Sequence, residues 1–241
     1  MKHSDRILVD FHSHILPCMD DGSRSVEESL EMLRISAEQN VHTVVLTPHF
    51  YATHDHPERF IKRRARSLEL LSQCDLSALP ALVPAAEVTY FEGITEMDEL
   101  SLMRVGNTSS VLIEMPFRQW TTRMVDDILD IQSRPHFSVI IAHVERYASF
   151  QSSDVLMHLI ANGVKMQANA ESFCTLLTKR KTFQLLKNGF IHLLGTDCHN
   201  LTSRPPVLGC AIERITTRCG DRMVDKLLSC SQTLISSECS G

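Results

Sequence analysis

Ile7-Leu8-Val9-Asp10-Phe11-His12-Ser13-His14 is an apolar run that ends in two histidines one residue apart. Strand side chains alternate faces, so His12 and His14 point the same way, about 6.6 Å apart along the backbone. Two imidazoles at one strand end can grip one metal ion. A lone His-x-His also arises from unrelated histidines, so the reading depends on the residues that end the other strands.

Six further apolar runs read as strands: 43–46, 82–85, 110–113, 137–142, 164–167 and 191–194. They are rich in Val, Ile and Leu without polar alternation, as parallel strands buried on both faces should be. Amphipathic stretches separate them. Ser25-Val26-Glu27-Glu28 has the form of a capping box and opens one helix. Others are expected over 59–71, 123–131, 155–160 and 183–187, with two more starting near 207 and 221. Asn162-Gly163 and Asn188-Gly189 each end a helix just before an apolar run, which is the chemistry of a helix-to-strand loop. Seven strands with intervening helices predict an α/β chain closed as a distorted (β/α)7 TIM-like barrel. The segment 91–107 is the least regular. We expect one domain over residues 1–241, with a polar and disordered tail at 231–241.

The strand ends carry the chemistry. After the first come His12, His14 and Asp20-Asp21-Gly22; the second leads to Thr47-Pro48-His49. The third ends in Ala86-Glu87, the fourth in Ile113-Glu114, the fifth in Ala142-His143, then Glu145-Arg146. The seventh ends in Gly195-Thr196-Asp197-Cys198-His199. In a parallel barrel all these ends share the C-terminal face, where barrel active sites are built. Imidazoles and carboxylates without required thiolates suit Mn²⁺, Fe²⁺ or Zn²⁺. About nine ligands exceed the three or four that one ion needs, so two or three divalent ions are expected, two of them sharing a carboxylate. Such a cluster activates water and clamps the attacking and leaving oxygens of a phosphoryl displacement.

Together these motifs, with Ser203-Arg204-Pro205-Pro206, resemble the PHP (polymerase and histidinol phosphatase) superfamily. Within it they are similar to the bacterial manganese-dependent protein-tyrosine phosphatases of capsule and exopolysaccharide synthesis. The resemblance implies a three-metal site. His12, His14, Glu87 and Asp197 would hold the first ion, and Glu87, Glu114 and His143 the second. Asp21, His49 and His199 would hold the third. Arg146 and Arg204 would bind phosphate, and Asp197 would be catalytic with them as well as a ligand. Manganese is the expected metal. The implied partner is a phosphotyrosine protein, the autophosphorylated tail of a bacterial tyrosine kinase. Three features depart from the family pattern: the segment 169–174, the extra His54 and His56, and Cys198 where Met is usual.

Other chemistries fit less well. The phosphatase pattern Cys-x5-Arg occurs three times, at Cys18–Arg24, Cys174–Arg180 and Cys198–Arg204, and none follows a His. Amidohydrolases also open with His-x-His, but they bridge their metals with a modified Lys where this chain has Glu87 and Glu114. A histidinol phosphatase is the nearest rival by chemistry. A net charge of −5 argues against a nucleic-acid partner. Eight cysteines without Cys-x-x-Cys, a short apolar run at the start and no long apolar stretch predict a cytoplasmic protein with reduced thiols and no membrane insertion.

Overall fold

The computed structural model describes residues 6–236. Among these, nine parallel strands form two ladders. In the first, β1 (Leu8–Ser13) pairs with β2 (Val41–Leu46), and β2 with β4 (Ala81–Pro84). The second runs β3 (His49–Phe50), β5 (Glu87–Thr89), β6 (Ser110–Glu114), β7 (Ser138–Ile141), β8 (Lys165–Asn169), β9 (Leu193–Gly195). The expected seven strands are present, and the second and third resume beyond their expected ends after a two-residue break. Thr47 and Pro48 separate β2 from β3, and Ala85 and Ala86 separate β4 from β5. Pro48 has no N–H for the ladder, but its carbonyl accepts from Glu87 N. The ring closes where His14 N donates to Cys198 O and Asp197 N to His12 O.

Alternation explains what lies under the ring's mouth. Leu112 and Glu114 share a face of β6. Leu112 belongs to a buried cluster with Val9, Phe11, Val45, Ile140, Ala142 and Leu193, and Glu114 stands one step nearer the mouth. The neighbouring faces, with Val111, Ile113, Val139 and Ile141, pack outward into the larger core.

The main helices are α1 (Val26–Glu38), α2 (Pro57–Ser72), α3 (Thr122–Ser133), α5 (Ser153–Ala161), α7 (Lys179–Lys187), α8 (Leu208–Cys219) and α9 (Asp221–Ser236). Two single-turn helices, α4 (Val144–Tyr147) and α6 (Glu171–Cys174), follow β7 and β8 directly. Segment 91–107 carries only 3₁₀ turns at Ile94–Glu96 and Asp98–Met103. Half of the expected capping box forms: Glu28 N donates to Ser25 Oγ, but the Glu28 carboxylate accepts from Arg24 N. Gly163 and Gly189 take φ of 95° and 80°, the left-handed turn that the Asn-Gly pairs required.

Two expectations are corrected. The stretch from Ser231 is helical as far as Ser236. Ser231 is buried with its hydroxyl donating to the Leu227 carbonyl, and Leu234 and Ile235 pack against the inner cluster. The rest of the expected tail, 237–241, lies outside the described residues. The thiols are not all reduced: Cys174 on α6 and Cys210 on α8 form a disulfide between packed helices. Their separation of 36 residues follows no spacing rule. Cys18, Cys74, Cys198, Cys219 and Cys230 are free, and Cys239 lies outside the described residues.

Candidate metal centre

All nine predicted ligands meet at the C-terminal mouth of the ring. One set joins His12, His14, Glu87 and Asp197, all buried. A second joins His14, Asp21, His49 and His199, and a third His49, Glu87 and Glu114; within each set the ligand atoms lie within 4.8 Å of one another. His143 adjoins the third set, its Nε2 2.9 Å from Glu87 Oε1 and 3.5 Å from Glu114 Oε1. Glu87 is central, its Oε2 3.1 Å from His12 Nε2, 3.3 Å from His14 Nε2 and 3.0 Å from His49 Nδ1. Register places His49 beside Glu87 across β3 and β5. Two groupings differ from those the resemblance implied: His14 also reaches the Asp21 side, and His49 also reaches Glu87.

The donor set fits divalent metal. Glu87 Oε2 is buried among three imidazole nitrogens, yet it makes no well-directed hydrogen bond with any of them. His49 Nδ1 and His199 Nε2 are likewise buried without a hydrogen-bond partner. Close donors that miss one another and surround a common space are placed for a shared cation. Burial disfavours the charged forms, but neighbouring charge overrides it. His14 titrates well above its ordinary value beside Asp20, Asp197 and Glu87, and His143 is pushed up to about 9 by Glu114 and Glu87. Glu87 and Asp197 are held well below the usual carboxylate range by the imidazoles.

At neutral pH the metal-free cluster therefore holds protons on His14 and His143, and a metal ion must displace them. Calorimetric titration with Mn²⁺ at pH 7 in buffers of different ionisation enthalpy should report net proton release. Affinity should rise as pH approaches 9.

Side chains around the ligands fix their orientation. His14 Nδ1 lies 2.7 Å from Asp20 Oδ2, which also accepts from His49 N at 2.9 Å. Gln167 Oε1 meets His12 Nδ1 at 3.2 Å and accepts from His143 N at 2.7 Å. Asp10 accepts from Thr196 N and Oγ1. His143 and Asp197 both have positive φ, 31° and 54°, costly for non-glycine residues and typical of strained functional positions.

Asp197 joins the metal side to a cationic side. Its Oδ1 faces His12 and His14 at 3.5 and 3.4 Å. Its Oδ2 accepts from Arg146 at 2.8 Å, Arg204 at 2.6 Å and Asn169 at 2.7 Å. The two guanidiniums converge on one oxygen and remain about one-third exposed. The unusual segment 169–174 thus begins with a residue that holds Asp197. Sequence reading missed Asn169, Gln167 and Asp20 as supports. His54 and His56 are exposed and belong to none of the ligand sets. The Cys-x5-Arg alternatives fail locally. Cys174 is in the disulfide, Cys198 is buried with its thiol pushed up by that burial, and Cys18 donates to Arg24 O.

A profile of the capsular polysaccharide synthesis CpsB/CapC family matches residues 8–235. The chain belongs to that family. It is 29% identical over 203 residues to the tyrosine-protein phosphatase YwqE of Bacillus subtilis, spanning 82% of this chain and 79% of that one. It is 27% identical over 240 residues to the tyrosine-protein phosphatase CpsB of Streptococcus pneumoniae, spanning 91% and 94%. Among solved structures it superposes on the YwqE/CpsB metal-dependent tyrosine phosphatases with a TM-score of 0.84 at 23% identity, covering 96% of this chain and 95% of the other. That likeness bears out the expected barrel. No helix among the described residues is long and apolar enough to cross a membrane.

Proposed function

We propose that the chain is a metal-dependent protein-tyrosine phosphatase acting on phosphotyrosine in a bacterial tyrosine kinase of capsule or exopolysaccharide synthesis. One observation carries the phosphatase reading: the carboxylate that faces the histidine cluster also gathers two guanidiniums. A phosphate dianion needs metal ions on one side and cationic hydrogen-bond donors on the other, and Asp197 sits where those sides meet.

His12, His14, Glu87 and Asp197 would hold one ion, Glu87, Glu114 and His143 a second, and Asp21, His49 and His199 a third. Manganese suits the mixed imidazole and carboxylate set, as do iron(II) and zinc. Bound ions supply an activated water and neutralise charge on the phosphoryl oxygens. The protein does the rest. Arg146 and Arg204 turn their free N–H groups to the phosphate and favour the charge that builds there. Asn169 and Asp197 keep both guanidiniums in place. The phenolate that leaves needs little help from an acid, since phenol ionises near pH 10. The reading extends to the cytoplasm, where ATP is available to the kinase that makes the phosphotyrosine.

Arg146→Ala should lower turnover of a phosphotyrosine peptide about a hundredfold with metal content unchanged, because it removes a charged donor from the developing oxyanion. The reading itself is tested on metal-loaded protein offered phosphotyrosine peptide, histidinol phosphate and single-stranded DNA. It expects the peptide to be preferred; preference for histidinol phosphate or cleavage of DNA alone overturns it.

A further inference from the structure

Two large aromatic side chains are exposed at the mouth of the metal centre. Phe117 is 49% exposed and Tyr51 37%. Phe117 leans on the buried Tyr147, with ring centroids 5.3 Å apart. Phe117 stacks on His143, with ring centroids 5.7 Å apart and planes 15° apart. Tyr51 lies over His49, with centroids 5.1 Å apart and planes inclined by 31°. These two imidazoles reach different oxygens of Glu87, His143 the Oε1 and His49 the Oε2. The rings therefore flank the central carboxylate, one over each ligand.

Both rings stand on braced loops. In the Phe117 loop, Met115 N donates to Tyr147 Oη, Trp120 Nε1 to Pro116 O, and Gln151 Nε2 to Arg118 O. In the Tyr51 loop, the Tyr51 carbonyl accepts from His54 N and Asp55 N, and Asp55 pairs with Arg63. Exposed rings that are held still lose little entropy when a planar ligand covers them.

We propose that Tyr51 and Phe117 form an aryl subsite that holds the ring of the leaving group beside the metal centre. The proposal rests on the phosphotyrosine reading and deepens it. Phosphate alone is served by the ions and the two arginines. The two rings add recognition of what carries the phosphate, so aryl phosphates are selected over alkyl ones of equal charge. Offset or edge-on contact with an aromatic face supplies the attraction.

The test uses metal-loaded full-length protein and two competitive inhibitors, phenylphosphonate and methylphosphonate, against phosphotyrosine peptide hydrolysis. The wild type should bind the phenyl compound more tightly. Phe117→Ala and Tyr51→Ala should each reduce that preference roughly 3- to 10-fold, the range expected for loss of one aromatic contact. Phe117→Tyr and Tyr51→Phe should retain it, with metal content unchanged in all four variants. An unchanged inhibitor ratio in both alanine variants overturns the subsite. So does an equal loss for both inhibitors, which would make the rings mere props for His49 and His143. Failure of the wild type to hydrolyse phosphotyrosine at all would instead defeat the parent reading.

Discussion

Asp197→Ala should abolish phosphotyrosine turnover, lowering it by at least about a thousandfold, while the chain still folds. The size rests on how many groups depend on this one carboxylate. Its Oδ2 receives Arg146, Arg204 and Asn169, and its Oδ1 faces His12 and His14. Removal of a single donor to a developing oxyanion costs about 10² to 10³ in rate. Loss of Asp197 frees two such donors and deletes a ligand, so the effects compound. The fold should survive because both guanidiniums reach solvent and can be hydrated where they stand. Circular dichroism should therefore match the wild type while metal content falls. Asp197→Asn is informative beside it. An amide offers one oxygen but cannot counter two positive charges, so turnover should again collapse.

Gly22→Ala should be nearly as severe, and for a steric reason. A Cβ at residue 22 would lie 2.2 Å from the carbonyl oxygen of His14 and 2.6 Å from its Cβ. Both belong to the strand end that carries the first ligands, and neither can swing aside. Gly22 N also donates to Asp20 Oδ1, and Ser23 N to His14 O, so the loop is pinned where the methyl would enter. Forcing the loop outward costs on the order of 1–3 kcal/mol as overpacking. It also draws Asp20 from His14 and Asp21 from His49 and His199. We expect metal stoichiometry to fall by one ion, with turnover down about a hundredfold or more. Retention of every ion, read by elemental analysis, would contradict the assignment of Asp21 to the third ion.

Much of this was legible in the chain because a barrel repeats one instruction. Six of the seven apolar runs end in a ligand type, and parallel order brings those ends to one face. His12, Glu87, Glu114, His143 and Asp197 could be placed that way without knowing any contact. The breaks at Thr47-Pro48 and Ala85-Ala86 were not legible, since the short pieces beyond them, His49-Phe50 and Glu87-Val88-Thr89, carry ligands and read as strand ends until the ladder shows them paired. Asn169 and Gln167 were missed because an amide that holds a ligand has no required spacing from it. Asp20 was passed over for Asp21. Two adjacent carboxylates in a loop look alike until one is found against His14 and the other 69% exposed toward His199. The Cys174–Cys210 pairing joins segments that sequence distance keeps apart. The polar residues from Ser231 onward hid how far the helix expected near 221 runs, with Leu234 and Ile235 reaching the inner cluster.

The proposed hydrolysis depends on more than one ion held at the barrel mouth. The decisive measurement is phosphotyrosine-peptide turnover by the same preparation before chelation, after chelation, and during stepwise return of Mn²⁺, with bound metal counted at each step. Turnover should vanish on chelation and recover in step with occupancy of more than one ion per chain. Turnover that persists in metal-free protein, or that recovers fully at a single ion, would refute a multi-ion mechanism.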